Sequence, residues 1–386
     1  MMKKTLLVAA LATASSGAVH AQSSVTLYGI IDAGIGYSKI DGSFTDPATG
    51  QTISANGSRI GMTDSVKNGS RWGLRGTEDL GGGLYATFQL ESGFNASDGQ
   101  STQGGRLFGR EATIGLASDD WGKIKMGRQY NIATRYLYSI FGPSFGGGFS
   151  QLNMGSGLGF SSANWVRYDN LVTYETPTVN GFTLGLGYSF GTDDSRATET
   201  GFETADNTRA ISVGLRYANG PLAAFISYDQ LNPSSKLSQT QRNATPRSYL
   251  VGGSYDFEVA KLALAYGRTT DGWFAGGGLP NGGSIGNFKG TPTNAYVDGF
   301  KSNSYLVALS APVGAAGSVF GSWQRVDAND DRLTGDDATS NTFALGYTYT
   351  LSKRSDVYAV AKYTKNFAFL NGAKATEATI GFRHKF

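Results

Sequence analysis

Cysteine is absent from the 386 residues, so the chain has neither a disulfide framework nor a thiolate metal site. Histidine occurs twice, at His20 and His384, which leaves little for histidine-based acid–base catalysis or a zinc centre. No apolar run approaches the roughly 18 residues of a transmembrane helix. Charge of either sign is also scarce in excess: the formal net charge is +3, and nucleic-acid binders show concentrated basic faces that this chain lacks. No G-x-x-x-x-G-K-[ST] run occurs, and the glycine-rich "GLGLGY" at 185 and "GGGF" at 146 open no helical pattern, so a nucleotide fold has no footing.

The amino terminus, "MMKKTLLVAALATASSGAVHA", reads as a secretory leader. Lys3 and Lys4 begin it, Thr5 to Ala14 form a short apolar centre, and Val19-His20-Ala21 close it with small residues. Residues 1–21 are expected to be removed, leaving 22–386 as one domain with a net charge near +1 and His384 as its sole histidine. With 55 Gly, 22 Phe and 20 Tyr against only 9 Pro, spread along the chain, the composition suits a β protein with many turns and close strand contacts.

Period-two patterning recurs in segments of about ten residues. In "VTLYGIIDAGIGY", Val25, Leu27, Ile31, Ala33, Ile35 and Tyr37 share one face, with Thr26, Tyr28, Asp32 and glycines on the other. "LYATFQLESGF", "FTLGLGYSF", "TFALGYTY" and "DVYAVAKY" repeat the arrangement. Short turn-like spacers, such as "TVNG" at 178–181 and "ANG" at 218–220, alternate with long polar ones at 41–57, 95–107, 129–166, 191–208, 232–246, 271–302, 328–341 and 366–374.

An even set of about 16 strands, with short turns at one end and long loops at the other, is the layout of an antiparallel transmembrane β-barrel. A soluble barrel of that size would enclose a lumen too wide to fill with side chains. Closure also accounts for the ending "ATIGFRHKF": the last strand must pair with the first, which holds Phe382 and Phe386 at the bilayer edge.

At "SRWGLRGTEDLGGGLYATFQLESGF" (70–94) the chain closely resembles the general porins of Gram-negative outer membranes, especially their β-proteobacterial branch. The start "SSVTLYGIIDAGI", "GKIKMGRQY" at 122–130, "VRYDNLVTYETP" at 166–177 and the terminal "GFRHKF" fit the same family in the same order. The resemblance implies a homotrimer of 16-stranded barrels with the third loop folded inward as a constriction. It also implies that Phe386 is the feature read by the outer-membrane assembly machinery.

Charges on inward faces are the functional candidates, because a charge facing lipid at midplane costs roughly 2–4 kcal/mol while one facing a wet lumen costs little. Trp72 and Leu74 share one face, so Arg71 and Arg75 point inward. Tyr168, Val172 and Tyr174 are expected to face out, placing Arg167, Asp169 and Glu175 inside. Strict alternation would turn Arg110 outward with Ile114 and Leu116 unless a bulge re-aims it; the resemblance implies a basic wall residue there. Arg128 poses the same parity problem.

The third loop, 129–166, has no Asp or Glu and one basic residue, Arg135. The resemblance makes its "FGPSFGGGF", with Pro143 and Phe145, the segment that crosses the lumen. Related porins commonly present acidic residues from this loop, so the departure suggests a mild anion preference. Compensation by Asp32, Glu91 and Asp169 would leave little selectivity. "DANDDRLTGDD" at 327–337 departs from a calcium loop at Arg332 and Ala338; it reads as a solvated external loop, with a divalent-ion bridge to lipopolysaccharide left open.

The reading is a passive diffusion channel for ions and small hydrophilic solutes, with outer-membrane lipid, lipopolysaccharide and its own copies as partners and no cofactor or metal. The alternative is a substrate-specific channel for a small anion or sugar, with Tyr28, Tyr85 and Tyr358 as inward aromatics. A barrel enzyme would need a carboxylate-only mechanism, and an adhesive barrel would conduct nothing.

Overall fold

The computed structural model describes residues 24–45, 52–141, 167–192, 203–272, 296–329, 339–367 and 371–386. Among them, seventeen strand segments follow one another along the chain. They are β1 (Ser24–Thr45), β2 (Thr52–Asp64), β3 (Arg71–Gly81), β4 (Leu84–Gly93), β5 (Glu111–Ser118), β6 (Gly122–Tyr130), β7 (Arg167–Glu175), β8 (Phe182–Ser189) and β9 (Arg209–Asn219). There follow β10 (Leu222–Asn232), β11 (Arg247–Asp256), β12 (Lys261–Thr270), β13 (Lys301–Val313), β14 (Gly317–Ala328), β15 (Thr339–Thr350), β16 (Ser355–Lys365) and β17 (Lys374–Lys385).

From β3 onward each strand pairs antiparallel with the next, and β17 returns to pair with β1 from Ile30↔Lys385 to Asp41↔Lys374. On the other edge of β1, Ser24–Ile30 pairs with β3 and Ala33–Thr45 with β2. Since β2 and β3 succeed each other along one edge, they are a single barrel strand interrupted at 65–70. The result is a 16-stranded antiparallel barrel with no open seam. The final residue takes part: Phe386 N donates to Gly29 O at 3.1 Å and Gly29 N donates to Phe386 O at 3.0 Å.

The two faces divide as the alternation requires. Val25, Leu27, Ile35 and Tyr37 of β1 are exposed on the outer wall, and so are Leu345 and Tyr347 of β15 and Ile380 of β17, which is 72% exposed. Large apolar side chains in such numbers on a free face suit a lipid surround. Paired aromatic rings, Phe182–Tyr217 at 4.7 Å and Tyr255–Phe257 at 4.6 Å between centroids, stand near strand ends as an interfacial girdle does. No helix among the described residues is long and apolar enough to cross a membrane; the strands do so.

Three features depart from the sequence expectation. The spacer expected at 41–57 is largely strand, since β1 continues to Thr45 and β2 resumes at Thr52. The second barrel strand, by contrast, is broken at 65–70, where Ser65 adopts a positive φ of 62°. Finally, Tyr168 does not face out: it is fully buried beside Leu171, Ala210 and Leu231. Asn170 at φ 47° and a register shift against Gly127–Gln129 interrupt the alternation of β7, which turns Tyr168 to the inner side.

After β6 comes the helix α1 (Ile132–Phe141). Asn131 caps it, its Oδ1 accepting from Thr134 N at 2.8 Å, and Ile132 N donates to Ser212 Oγ of β9 at 3.0 Å. The helix lies on the inner face of β8–β11, the side opposite the exposed Leu184, Leu215 and Ile226. Glycine permits that approach: a Cβ at Gly185 would meet Tyr136 Oη at 2.5 Å, and one at Gly214 would meet the Tyr136 ring at 2.9 Å.

Candidate functional site

The sequence candidates Arg71, Arg75, Arg110, Arg167 and Glu91 converge on one patch of the inner wall, delivered by β3, β4, β7 and the residue preceding β5. Arg110 Nε donates to Glu91 Oε1 at 2.6 Å, and Arg71 Nη1 stands 3.8 Å from the same oxygen. Tyr28 donates its hydroxyl to Glu91 Oε2 at 2.9 Å and accepts from Gln89 Nε2 at 2.8 Å. Arg110 Nη2 donates to Tyr130 Oη at 3.2 Å. Arg167 donates to the same hydroxyl, with its guanidinium 4.1 Å from the Tyr130 ring centroid. Arg75 lies over the Tyr28 ring at 5.1 Å and is exposed. Two guanidinium groups thus share the Glu91 carboxylate, and two tyrosine faces hold Arg75 and Arg167 beside them by stacking.

Parity resolves differently for the two difficult arginines. Arg110 lies just before β5, where alternation does not yet bind it, and its backbone N donates to Glu91 O at 3.1 Å. Arg128 is re-aimed by a bulge: Gly127 takes φ 123°, and a Cβ there would sit 2.0 Å from Ala112 O. Its Nη1 then donates to Asp169 Oδ1 at 2.5 Å, while Arg106 holds Asp169 Oδ2 at 2.8 Å. Arg106 is a partner that sequence patterning missed, because it stands in a loop without periodicity.

Arg135, on α1, is matched by Glu175 at 2.5 Å. Pro143 and Phe145 lie outside the described residues.

Asp32 belongs to a separate arrangement. It is fully buried, and its Oδ2 accepts the backbone N–H groups of Lys67 and Asn68 at 3.0 and 2.5 Å, while Tyr358 donates its hydroxyl to Oδ1 at 2.5 Å. Lys67 Nζ reaches Asp356 Oδ1 at 2.7 Å and Thr348 Oγ1 at 3.1 Å, and Arg383 Nη2 meets the other Asp356 oxygen at 2.5 Å. The segment 65–70 therefore turns inward and ties β1 to β15, β16 and β17 across the closing seam. It also touches the arginine patch, since Arg71 Nε donates to Gly69 O at 2.8 Å. Sequence patterning gave no sign of this element; its cue, Lys67 in a short polar stretch, is that of any turn.

Elsewhere the inner wall carries an apolar cluster among buried polar side chains such as Ser212, Asp229 and Gln324. Phe225, Leu250, Leu306, Phe320 and Val360 join Ile132, Leu137 and Ile140 of α1 in one buried cluster. His384 sits beside Ser355 Oγ at 2.9 Å. Asn329 Oδ1 accepts from Lys301 N at 2.6 Å, and Asp327 faces Arg325 at 3.4 Å; residues 330–337 lie outside the described residues. No group of three or more potential metal ligands occurs among the described residues.

A closed barrel that is apolar outside and lined by arginine inside defines an outer-membrane channel. Residues 7–368 match the family model described as Gram-negative porin, and the chain belongs to that family. It is 57% identical to an outer membrane porin protein of Bordetella pertussis over the whole of both chains. To outer membrane porin protein 32 of Delftia acidovorans it is 33% identical, again over both full lengths. Among solved structures, an anion-selective porin from Comamonas acidovorans superimposes with a TM-score of 0.66 at 29% identity, covering 95% of this chain and 100% of that one. The protein is thus a porin-type passive channel of a Gram-negative outer membrane, and these relatives are transport porins rather than enzymes.

Proposed function

We propose that the channel is a water-filled diffusion pore for ions and small hydrophilic solutes with a mild preference for anions. One observation carries this reading: Arg71, Arg75, Arg110 and Arg167 share one patch of the inner wall, where Arg110 and Arg71 are paired with Glu91 while Arg75 and Arg167 are held on tyrosine faces without a carboxylate partner among the described contacts. Basic linings favour anions, and a narrow low-dielectric waist magnifies a modest excess. The loop that begins with α1 brings no Asp or Glu to oppose them, and its Arg135 is matched by Glu175. The structurally similar porin of Comamonas acidovorans is anion-selective, which is the same sign of preference.

In this reading the remainder of the third loop, with Pro143 and Phe145, folds inward and sets the width of the waist. Residues 1–21 are a cleaved leader, 22–386 the barrel domain, and the working unit is a homotrimer in lipid and lipopolysaccharide. Phe386 is the residue that the outer-membrane assembly machinery reads. Planar-bilayer recording of the refolded chain in a KCl gradient tests the function. Steps in threes with a reversal potential toward the chloride limit are expected. A shift toward the potassium limit would overturn the anion preference, and folded barrels without conductance would overturn the channel.

A further inference from the structure

Tyr130 stands where β6 hands over to α1. Its hydroxyl accepts from Arg110 Nη2 at 3.2 Å and from Arg167 Nη2. Its ring lies against the Arg167 guanidinium at 4.1 Å and against the Tyr138 ring of α1 at 5.7 Å between centroids. Its carbonyl accepts from Arg135 Nη2 at 3.3 Å. One residue thus joins two arginines of the wall to the helix that opens the third loop.

The arginines of this region are held in two ways. Arg110 and Arg71 meet Glu91, Arg106 and Arg128 meet Asp169, and Arg135 meets Glu175. Arg167 has no carboxylate within ion-pair distance among the described residues, and its Nε is buried without a hydrogen-bond partner. Its seat is the neutral phenol of Tyr130. A carboxylate in that place would also hold Arg167, through a charge-assisted bond, but would cancel its charge. The phenol orders the cation and leaves its charge intact.

Sharing one neutral acceptor also brings two cations close together against their mutual repulsion, an arrangement that stability alone does not favour. Its product is a concentrated positive field, which is what an anion-conducting waist requires.

We propose that Tyr130 is the positioning residue that sets the anion preference: it seats Arg167 and Arg110 in the arginine patch without neutralising them. The proposal rests on the reading of that patch as the selective waist. It makes the preference sensitive to alkali. A phenol ionises near about pH 10, whereas arginine stays charged beyond about pH 12 and glutamate is already ionised at neutrality. Facing Tyr130 are Arg71 of β3, Glu91 of β4, Arg110 before β5, Arg167 of β7, and Arg135 and Tyr138 of α1. Within this group only the two tyrosines change charge between about pH 7 and 10.5. Ionised Tyr130 places a negative charge between two guanidinium groups, so the preference weakens as pH rises.

The test uses the full mature chain refolded into planar bilayers, with reversal potentials read in a KCl gradient at neutral and alkaline pH. The chloride-to-potassium permeability ratio of the parent is expected to fall roughly threefold between about pH 7 and 10.5. Tyr130→Phe keeps the ring and loses the acceptor. Its ratio is expected to start about twofold lower, as Arg167 leaves its seat, and to change little with pH. Lumen lysines such as Lys125 also titrate, so a drift common to both chains is theirs and the difference belongs to Tyr130. Tyr138→Phe should keep the parent's alkaline fall. Tyr130→Glu should show at neutral pH the low ratio that the parent reaches in alkali, and Tyr130→Gln, a neutral acceptor of equal length, should not.

A chloride-selective parent with a ratio independent of pH would overturn the role of Tyr130 and leave the anion preference standing. Parallel falls in the parent and Tyr130→Phe would do the same, as would equal ratios in Tyr130→Glu and Tyr130→Gln. A parent selective for potassium at neutral pH would overturn the reading of the patch, and this role with it. The parent and Tyr130→Phe differ by one oxygen, so their comparison decides the matter if the glutamate variant fails to fold.

Discussion

Two arcs of the same inner wall are built from opposite materials. From β3 to β7 the inward side chains include arginines, three glutamates (Glu91, Glu111 and Glu175) and Asp169, joined by Tyr28 and Tyr130. From β10 to β16 they include Phe225, Leu250, Leu306, Phe320 and Val360, all nearly inaccessible. Both arcs alternate with an equally apolar outer face, so strand patterning treats them alike. The difference lies in what covers them. The second arc shares its cluster with Ile132, Leu137 and Ile140 of α1, whereas the first keeps Arg75 exposed. The helix turns the stretch of wall on which it packs, β8–β11, into a core, and the arginine patch lies outside that stretch.

The most severe test of the contrast is to detach the helix. Leu137→Asp places a carboxylate at a fully buried position among apolar neighbours, expected to cost about 4 kcal/mol or more. Urea unfolding should show the loss, and single-channel recording should show a larger conductance if any barrel survives. An unchanged conductance with a folded barrel would mean that α1 does not govern the open cross-section.

On the charged arc, Lys67→Met leaves Asp356 with Arg383 alone and removes the strap's hold on β16. Lys67 and Asp356 each have side chains only 7% exposed, and breaking a buried pair from one side costs about 3–5 kcal/mol. Denaturation midpoints should fall accordingly. A Lys67→Met barrel as stable as its parent would show that the seam is held by backbone pairing alone.

Ion selectivity probes the charged arc more finely. Arg110→Gln removes one of four guanidinium groups and should move the reversal potential toward zero, while Glu91→Gln removes the single shared carboxylate and should move it toward the chloride limit. Both variants shifting the same way would refute the charge-imbalance account. The smallest effect belongs to Arg75→Ala: its stacking on Tyr28 is exposed, worth about 0.5–1 kcal/mol, and the reversal potential should move less than for Arg110→Gln. A larger shift would place Arg75, not Arg110, at the waist.

Much of the barrel was legible in the sequence because lipid imposes a strict rule: each strand must be apolar at every second residue, and every edge must be paired. Val25, Leu27 and Ile35 announced the outer wall, and Phe386 announced closure with the first strand. Arg71, Arg167 and Glu91 were assigned to the inner wall by the same rule. The rule fails wherever the backbone breaks step. It misplaced Tyr168, because Asn170 in the left-handed region leaves no mark in periodicity. It left Arg128 undecided until the Gly127 bulge turned it, and it passed over 65–70, where a strand interruption looks like any polar turn.

Local pattern alone was enough to make this chain a strand-built barrel with a basic inner stripe, since period, turn chemistry and the solvation of charge are local properties. Which charges meet was settled by the closed fold. Glu91 finds Arg110 in the next strand's approach, Asp169 draws in Arg106 from a loop, and Lys67 reaches Asp356 from the far end of the chain. The fold also settled where α1 sits, because its seat depends on Gly185 and Gly214, cross-strand partners of β8 and β9 that lie together beneath one tyrosine. Pairing across a closed sheet is a long-range fact, and no local pattern encodes it.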